Sequence, residues 1–214
     1  DLLFGDAASV FQRDEAGHET HLDRSLNVAA SGFQHDRYFA DLEEIVVAIF
    51  NRPPFEDQPK YVADMGCGDG TLLKRIYEKI RDESERGKVL DEFPVTLIGI
   101  DFNQKSLEAA ANTLMGLPHT VLPGDIADPQ RLLHDLRQRG LTDPENILHV
   151  RSFLDHDRPF RMPEDREAAR QRRIVPDQGV YTHRGGQPIA AADAAQSLVE
   201  HLRRWGAITN RFGL

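Results

Sequence analysis

Apolar residues fall along this chain in two alternating patterns, short runs that suit buried strands and longer stretches with helical spacing. The runs lie at 61–65, 96–101, 119–126 and 146–153. Amphipathic stretches follow them from residue 71, at 105–114, from about residue 129 and at 190–205. Short strands that alternate with helices are typical of a parallel sheet. The pattern therefore predicts an α/β fold with a Rossmann-like sheet.

The first 55 residues carry a different pattern. Residues 1–21 are polar and irregular, as in a loop or linker, whereas 25–50 have helical spacing and end before Pro53 and Pro54. We divide the chain into an N-terminal linker and helical lid segment at 1–55 and an α/β domain at 56–214. Phe33 and His35 are candidates to cover a bound ligand, with helix packing as the alternative. Five residues are spaced for one buried helix face: Phe39, Leu42, Ile45, Val46 and Ile49.

A glycine-rich loop follows the first predicted strand. Gly66, Gly68 and Gly70 lie between that strand and the helix that starts near Thr71. Glycines let the backbone approach a ligand closely, and the helix end presents free N–H groups. Asp64 at the strand end would repel a pyrophosphate but accept hydrogen bonds from an ammonium group. The loop favours a cationic, phosphate-free ligand such as S-adenosylmethionine, and a tight turn without a ligand is the alternative.

The segment DMGCGDG at 64–70 resembles motif I of class I S-adenosylmethionine-dependent methyltransferases. The resemblance implies that Asp64, Gly66 and Gly68 contact the cofactor. It also implies a class I methyltransferase sheet, here expected to be truncated after the fourth strand and its following helix. The C-terminal strands of the domain would then be absent from 56–214.

Acidic residues also end the second and third predicted strands. Asp101 offers two acceptor oxygens for ribose hydroxyls, with Phe102 beside it, whereas the alternative is an N-cap of the next helix. By resemblance, Asp125 meets the adenine amine and Ile126 lies beside the ring. The alternative is that Asp125 or Asp128 caps the helix that begins near Pro129.

The fourth predicted strand leads into the segment LDHD at 154–157. Ligands of open parallel sheets bind beyond the carboxyl ends of the strands, so this segment is expected beside the methyl donor. We count Arg151 among the cofactor contacts and Asp155 and His156 as candidate catalytic residues. A capping or salt-bridged turn is the alternative for His156.

Composition narrows the class of protein. The net charge of −9 over 214 residues argues against a general nucleic-acid binder. The single cysteine excludes an internal disulfide and suits a reducing cytoplasm, and no apolar run is long enough to span a membrane. Arginines gather between residues 158 and 173. They form either a solvated loop or a docking face for an acidic partner such as a carrier protein.

Three blocks together, LNVAASGFQH, PKYVADMGCGDGTLLKRIY and HVRSFLDHDRPF, are similar to C-methyltransferase domains of modular polyketide synthases. The similarity is greatest to the metal-dependent loading-module type of the apratoxin A pathway. It implies methylation of the α-carbon of a malonyl-type acyl group on an acyl carrier protein, next to other synthase domains. It further implies a mononuclear divalent metal, iron, for which His156 is the candidate ligand.

Two other functions stay open on the residues alone. One is a stand-alone methyltransferase that acts on an oxygen or nitrogen of a small molecule, with His156 as general base. The other is a non-catalytic methyltransferase-like structural module. The intact loop at 64–70 and the acids at 64 and 101 weigh against the second of these.

Overall fold

The computed structural model describes residues 36–141, 143–151, 155, 158, 160–173, 181–183, 186–209 and 211–213. Its helices are α1 (Asp36–Phe50), α2 (Thr71–Glu83), α3 (Gln104–Thr113), α4 (Pro129–Gln138), α5 (Arg166–Gln171) and α6 (Ala191–Gly206). Four strands form the main sheet: β1 (Tyr61–Met65), β2 (Thr96–Asp101), β3 (His119–Pro123) and β4 (Ile147–Val150). A small antiparallel pair, β5 (Tyr181–Thr182) and β6 (Pro188–Ile189), lies outside that sheet.

The main sheet is parallel and has the strand order β3-β2-β1-β4. Strands β2 and β3 are added in order on one side of β1, and β4 then pairs with the other side of β1. Asp64 in β1 is consequently in register with Gly99 of β2 and with Val150 of β4. This reversal opens a crevice at the carboxyl end of β1, where open α/β sheets bind their ligands.

Both faces of the sheet are covered, which explains why its strands read as apolar runs. Successive residues of β1 face opposite sides, so Val62 joins the core under α1, α2 and α3, whereas Ala63 joins the core under α4 and α6. Trp205 of α6 is fully buried in the second core. Gly70 starts α2 with φ +78°, and a Cβ there would lie 3.1 Å from the Cα of Ala110. The loop–helix junction therefore packs directly on α3.

The predicted α/β fold is confirmed, with small shifts at element ends. β4 ends at Val150 rather than at residue 153, because Arg151 turns toward α6. The outer edge of β4 is paired at His149. The backbone N–H of His149 donates to the Phe212 carbonyl at 3.3 Å, and His149 forms an isolated parallel β-bridge with Gly213. Phe33 and His35 lie outside the described residues. No helix within the described ranges is long and apolar enough to cross a bilayer.

The predicted buried face of α1 is wrong at one position. Ile45 is 48 % exposed, whereas Glu43 is nearly fully buried. The Glu43 carboxylate is 2.5 Å from Nε of Arg75 on α2, so the buried face of α1 carries an ion pair that the apolar pattern did not predict. Val46 and Phe50 are fully buried as the main apolar contacts of the helix with α2.

Candidate active site

The loop at 66–70 is held against the end of β2 by its own backbone. The N–H groups of Gly66 and Cys67 donate to the Ile100 carbonyl at 2.7 and 3.0 Å. Gly66 and Gly68 both have positive φ, +79° and +55°, a conformation that strongly favours glycine. The loop therefore bends tightly over the crevice without any side chain to fill it.

Asp101 ends β2 beneath this loop, as predicted. Its carboxylate accepts hydrogen bonds from the N–H of Gly68 at 3.2 Å and from the N–H of Asn103 at 2.8 Å. The N-cap of α3 is Asn103, whose side chain accepts from the N–H of Lys105, so the capping alternative for Asp101 is wrong. The Asp101 carboxylate is thus fixed at the crevice, where a ribose would lie.

Asp64 is the most unusual group of the site. It is 3 % exposed, and no donor among the described residues reaches its carboxylate with a hydrogen bond. Burial, reinforced by the neighbouring charge of Asp101, raises the pKa of Asp64 to about 8. A buried carboxylate without a hydrogen-bond partner destabilises the ligand-free protein. A cationic ligand at the crevice would neutralise it.

We expect the Asp64→Asn variant to be more stable than the wild type without ligand, by at least about 1 kcal/mol at pH 9. A folded-state pKa above the unfolded one means that stability is lost as pH rises from about 4 to about 8. The gain should therefore be larger at pH 9 than at pH 6, as measured by urea unfolding. An equal gain at both pH values would contradict the raised pKa of Asp64.

Asp125 and Ile126 lie just beyond β3. One oxygen of Asp125 accepts the N–H of Ala127 at 2.8 Å, and the other is 3.1 Å from Arg161. Ile126 is buried, and its carbonyl accepts the indole N–H of Trp205 at 2.8 Å. The N-cap of α4 is Asp128, which accepts from the N–H of Arg131, so Asp125 remains free of that role.

Two other predicted cofactor contacts differ in their surroundings. Phe102 is 65 % exposed at the carboxyl end of β2, where its ring is open to a ligand. Arg151 instead lies against α6, with its guanidinium carbon 4.4 Å from the centre of the Trp205 ring. It also donates to Asp155. Its contacts thus lead away from the glycine loop, and its role in cofactor binding stays a prediction.

The candidate catalytic carboxylate Asp155 has two partners, one of which the sequence analysis missed. His201 on α6 places Nε2 at 2.7 Å from Oδ1 of Asp155, and Arg151 donates to the same oxygen. Burial works against ionisation, but these two donors outweigh it and lower the pKa of Asp155. The sequence signal for His201 was its position one helical turn before Trp205, on the buried face of α6.

The predicted metal ligand His156 lies outside the described residues. No group of three His, Cys, Asp or Glu side chains within the described ranges is placed to hold a metal ion. Taken alone, these residues do not fit a metal site. Iron therefore stays a prediction that rests on the sequence resemblance.

Comparison with known proteins places this arrangement in a family. The profile of the AprA MT2-like methyltransferase domain matches residues 19–214. Among solved structures, one match is the plantazolicin methyltransferase BamL in complex with a triazolic desmethylPZN analogue and SAH. It is 15 % identical with a TM-score of 0.33, over 58 % of this chain and 41 % of that one. This chain thus spans less than half the length of that enzyme. No curated protein matches the chain.

The family profile covers the N-terminal helix, the glycine loop and helix α6 in one continuous match. The match includes the glycine loop, Asp64 and Asp101, the residues that the sequence analysis predicted to contact a methyl donor. The chain belongs to the AprA MT2-like methyltransferase domain family.

Proposed function

We propose that this domain methylates the α-carbon of a malonyl-type acyl group carried on an acyl carrier protein. The observation that supports an anionic acceptor is a group of three arginines, namely Arg158, Arg161 and Arg204, with Asp155 beside Arg158. Such a group suits a carboxylate or a phosphate, and a malonyl group on phosphopantetheine carries both.

The charges of Arg204 and Arg161 both act on Arg158. Partial burial, followed by the positive charge of Arg204, lowers the pKa of Arg158, while Asp155 acts in the opposite direction. Arg158 donates to the Ser197 hydroxyl at 3.2 Å, and Nε of Arg204 is buried with no hydrogen-bond partner in the described part of the chain. Clustered, partly desolvated cations favour a bound anion.

The side chains of the crevice then bind different parts of the methyl donor and the acceptor. S-adenosylmethionine supplies an electrophilic methyl group on a positively charged sulfur. Asp64 holds the cationic amino-acid end of this donor, Asp101 the ribose, and Asp125 the adenine. The α-carbon of the acyl group loses a proton, and its electron pair forms the bond to the methyl carbon, while the S–C bond breaks with its pair on sulfur. Asp155 stays ionised at neutral pH, because its pKa is lowered.

His156 is the predicted base or metal ligand for the loss of that proton. An imidazole is suited to act as a base near neutral pH. The lowered pKa of Asp155 makes its carboxylate a poor acceptor for a proton from the α-carbon. We therefore assign Asp155 to binding the acceptor rather than to removing its proton.

The test is to follow S-adenosylhomocysteine formation with carrier protein loaded with malonyl or with acetyl groups. We expect faster turnover of the malonyl form, and a loss of about 10-fold in kcat/KM for it in the Arg158→Gln variant. The acetyl form should change much less, because it lacks the carboxylate. Arg131→Gln is the control, since Arg131 pairs with Asp135 on the exposed face of α4.

Two outcomes would contradict this proposal. Equal turnover of both loaded carriers would remove the basis for an anionic acceptor. Methylation of free small molecules, with no turnover on the carrier, would favour a stand-alone O- or N-methyltransferase.

A further inference from the structure

We infer that His201 is a positioning residue that holds the Asp155 carboxylate by one oxygen and leaves the other to bind the acceptor. This inference rests on the proposed function, since it assumes that Asp155 faces the acyl group. It assigns a role to α6, a helix that lies behind β4 and carries no residue of the methyl-donor site.

The two donors to Asp155 converge on a single atom. Nε2 of His201 lies 2.7 Å from Oδ1, and Arg151 donates to Oδ1 as well. Oδ2 has no hydrogen-bond partner among the described residues, and the Asp155 side chain is 34 % exposed. A carboxylate oxygen accepts up to two further hydrogen bonds. Oδ1 is thus fixed by His201 and Arg151, and Oδ2 is open to a ligand.

His201 has no other polar contact within the described ranges. The side chain is fully buried, and its second nitrogen, Nδ1, is without a hydrogen-bond partner there. A buried polar atom without a partner is unfavourable, so an apolar residue would suit packing alone better. The imidazole in this position is explained by its bond to Asp155. That bond requires the proton on Nε2.

Arg151 and Trp205 fix the position of the hydrogen-bonded pair His201 and Asp155. The Arg151 guanidinium stacks on the Trp205 ring, and the Trp205 indole N–H donates to the Ile126 carbonyl beside the predicted adenine site. His201 and Trp205 are one turn apart on α6. The same helix therefore contacts the loop that follows β3 and the carboxylate that follows β4, on the two sides of the crevice.

The open oxygen of Asp155 suits a hydrogen-bond donor of the acceptor. A carrier-bound acyl group offers amide N–H groups on its pantetheine arm. The arginine group near Asp155 would bind the anionic parts of the same molecule. Holding Oδ1 therefore sets the direction in which Oδ2 meets the acceptor, and it leaves the methyl donor untouched.

The test compares His201→Leu with His201→Gln in the whole chain. We expect His201→Leu to raise the KM for malonyl-loaded carrier protein about 10-fold, with the Kd for S-adenosylmethionine within two-fold of the wild type. His201→Gln keeps an N–H at a similar reach and should restore most of that loss. His149→Leu is a matched control, because it removes another fully buried imidazole beside Trp205 that has no contact with Asp155.

The outcomes of this comparison distinguish a positioning role of His201 from a role in packing. An unchanged KM in His201→Leu, or an equal rise in His149→Leu, would show that His201 only packs. Parallel losses in KM and in cofactor affinity would also overturn the inference. No turnover by the wild-type protein on the loaded carrier would instead overturn the proposed function, and the assigned role of His201 with it.

Discussion

Replacement of Asp101 by alanine should weaken S-adenosylmethionine binding by about 10- to 100-fold, or about 1.5–3 kcal/mol. The carboxylate is the predicted acceptor for the ribose hydroxyls in the crevice, and hydrogen bonds to a charged group are stronger than those between neutral groups. Isothermal titration calorimetry at pH 7.5 measures the effect directly.

The same substitution also removes two contacts within the protein. Asp101 accepts hydrogen bonds from the N–H groups of Gly68 and Asn103, so alanine loosens the glycine loop as well as the ribose site. Asp101→Asn is the milder change, because its amide oxygen still accepts the Asn103 N–H while the charge and the contact with the Gly68 N–H are lost. We expect a smaller loss of affinity in Asp101→Asn than in Asp101→Ala.

Asp82→Ala is the control for this series. Asp82 is exposed on α2 and pairs only with the neighbouring Arg81 among the described residues. Its loss should leave the Kd for S-adenosylmethionine unchanged. A wild-type affinity in Asp101→Ala would show that the crevice at the end of β2 does not hold the ribose.

The positions of these acids in the fold could be predicted from the sequence for a physical reason. Strands buried on both faces are apolar throughout, so their ends are marked by the first acid or glycine. Parallel register then brings those ends together, which places Asp64 and Asp101 at the same end of the sheet, with Asp64 in register with Gly99. The roles of the two acids follow from that placement and from the family match, whereas their contacts with a cofactor stay predictions.

The acceptor side could not be predicted in this way. Asp155 and His201 are 46 positions apart, and their bond depends on how α6 packs behind β4. Helical spacing alone likewise predicted that Ile45 is buried on α1, whereas Ile45 is exposed and Glu43 is buried, where it pairs with Arg75. Periodicity reports which face of a helix is buried, but it does not report which polar partners meet there.

His149 is expected to make the protein sensitive to acid. It is fully buried on β4, and burial, reinforced by the charge of Arg151, lowers its pKa from 6.5 to about 4. Between these values the unfolded chain binds a proton that the folded protein excludes. The free energy of unfolding therefore falls as the pH drops through this range, by roughly 2 kcal/mol between pH 7 and pH 5.

His149→Leu should remove that part of the acid sensitivity. Both ring nitrogens of His149 lack hydrogen-bond partners among the described residues, so leucine breaks no bond and avoids the cost of protonation. Urea unfolding at pH 7 and pH 5 should show a smaller difference in His149→Leu than in the wild type. His201 also has a lowered pKa and acts in the same direction in this range, so some acid sensitivity should persist. His134→Leu, on the exposed face of α4, should behave as the wild type. An unchanged pH dependence in His149→Leu would mean that the buried imidazole takes up its proton without unfolding the protein, through a partner outside the described residues.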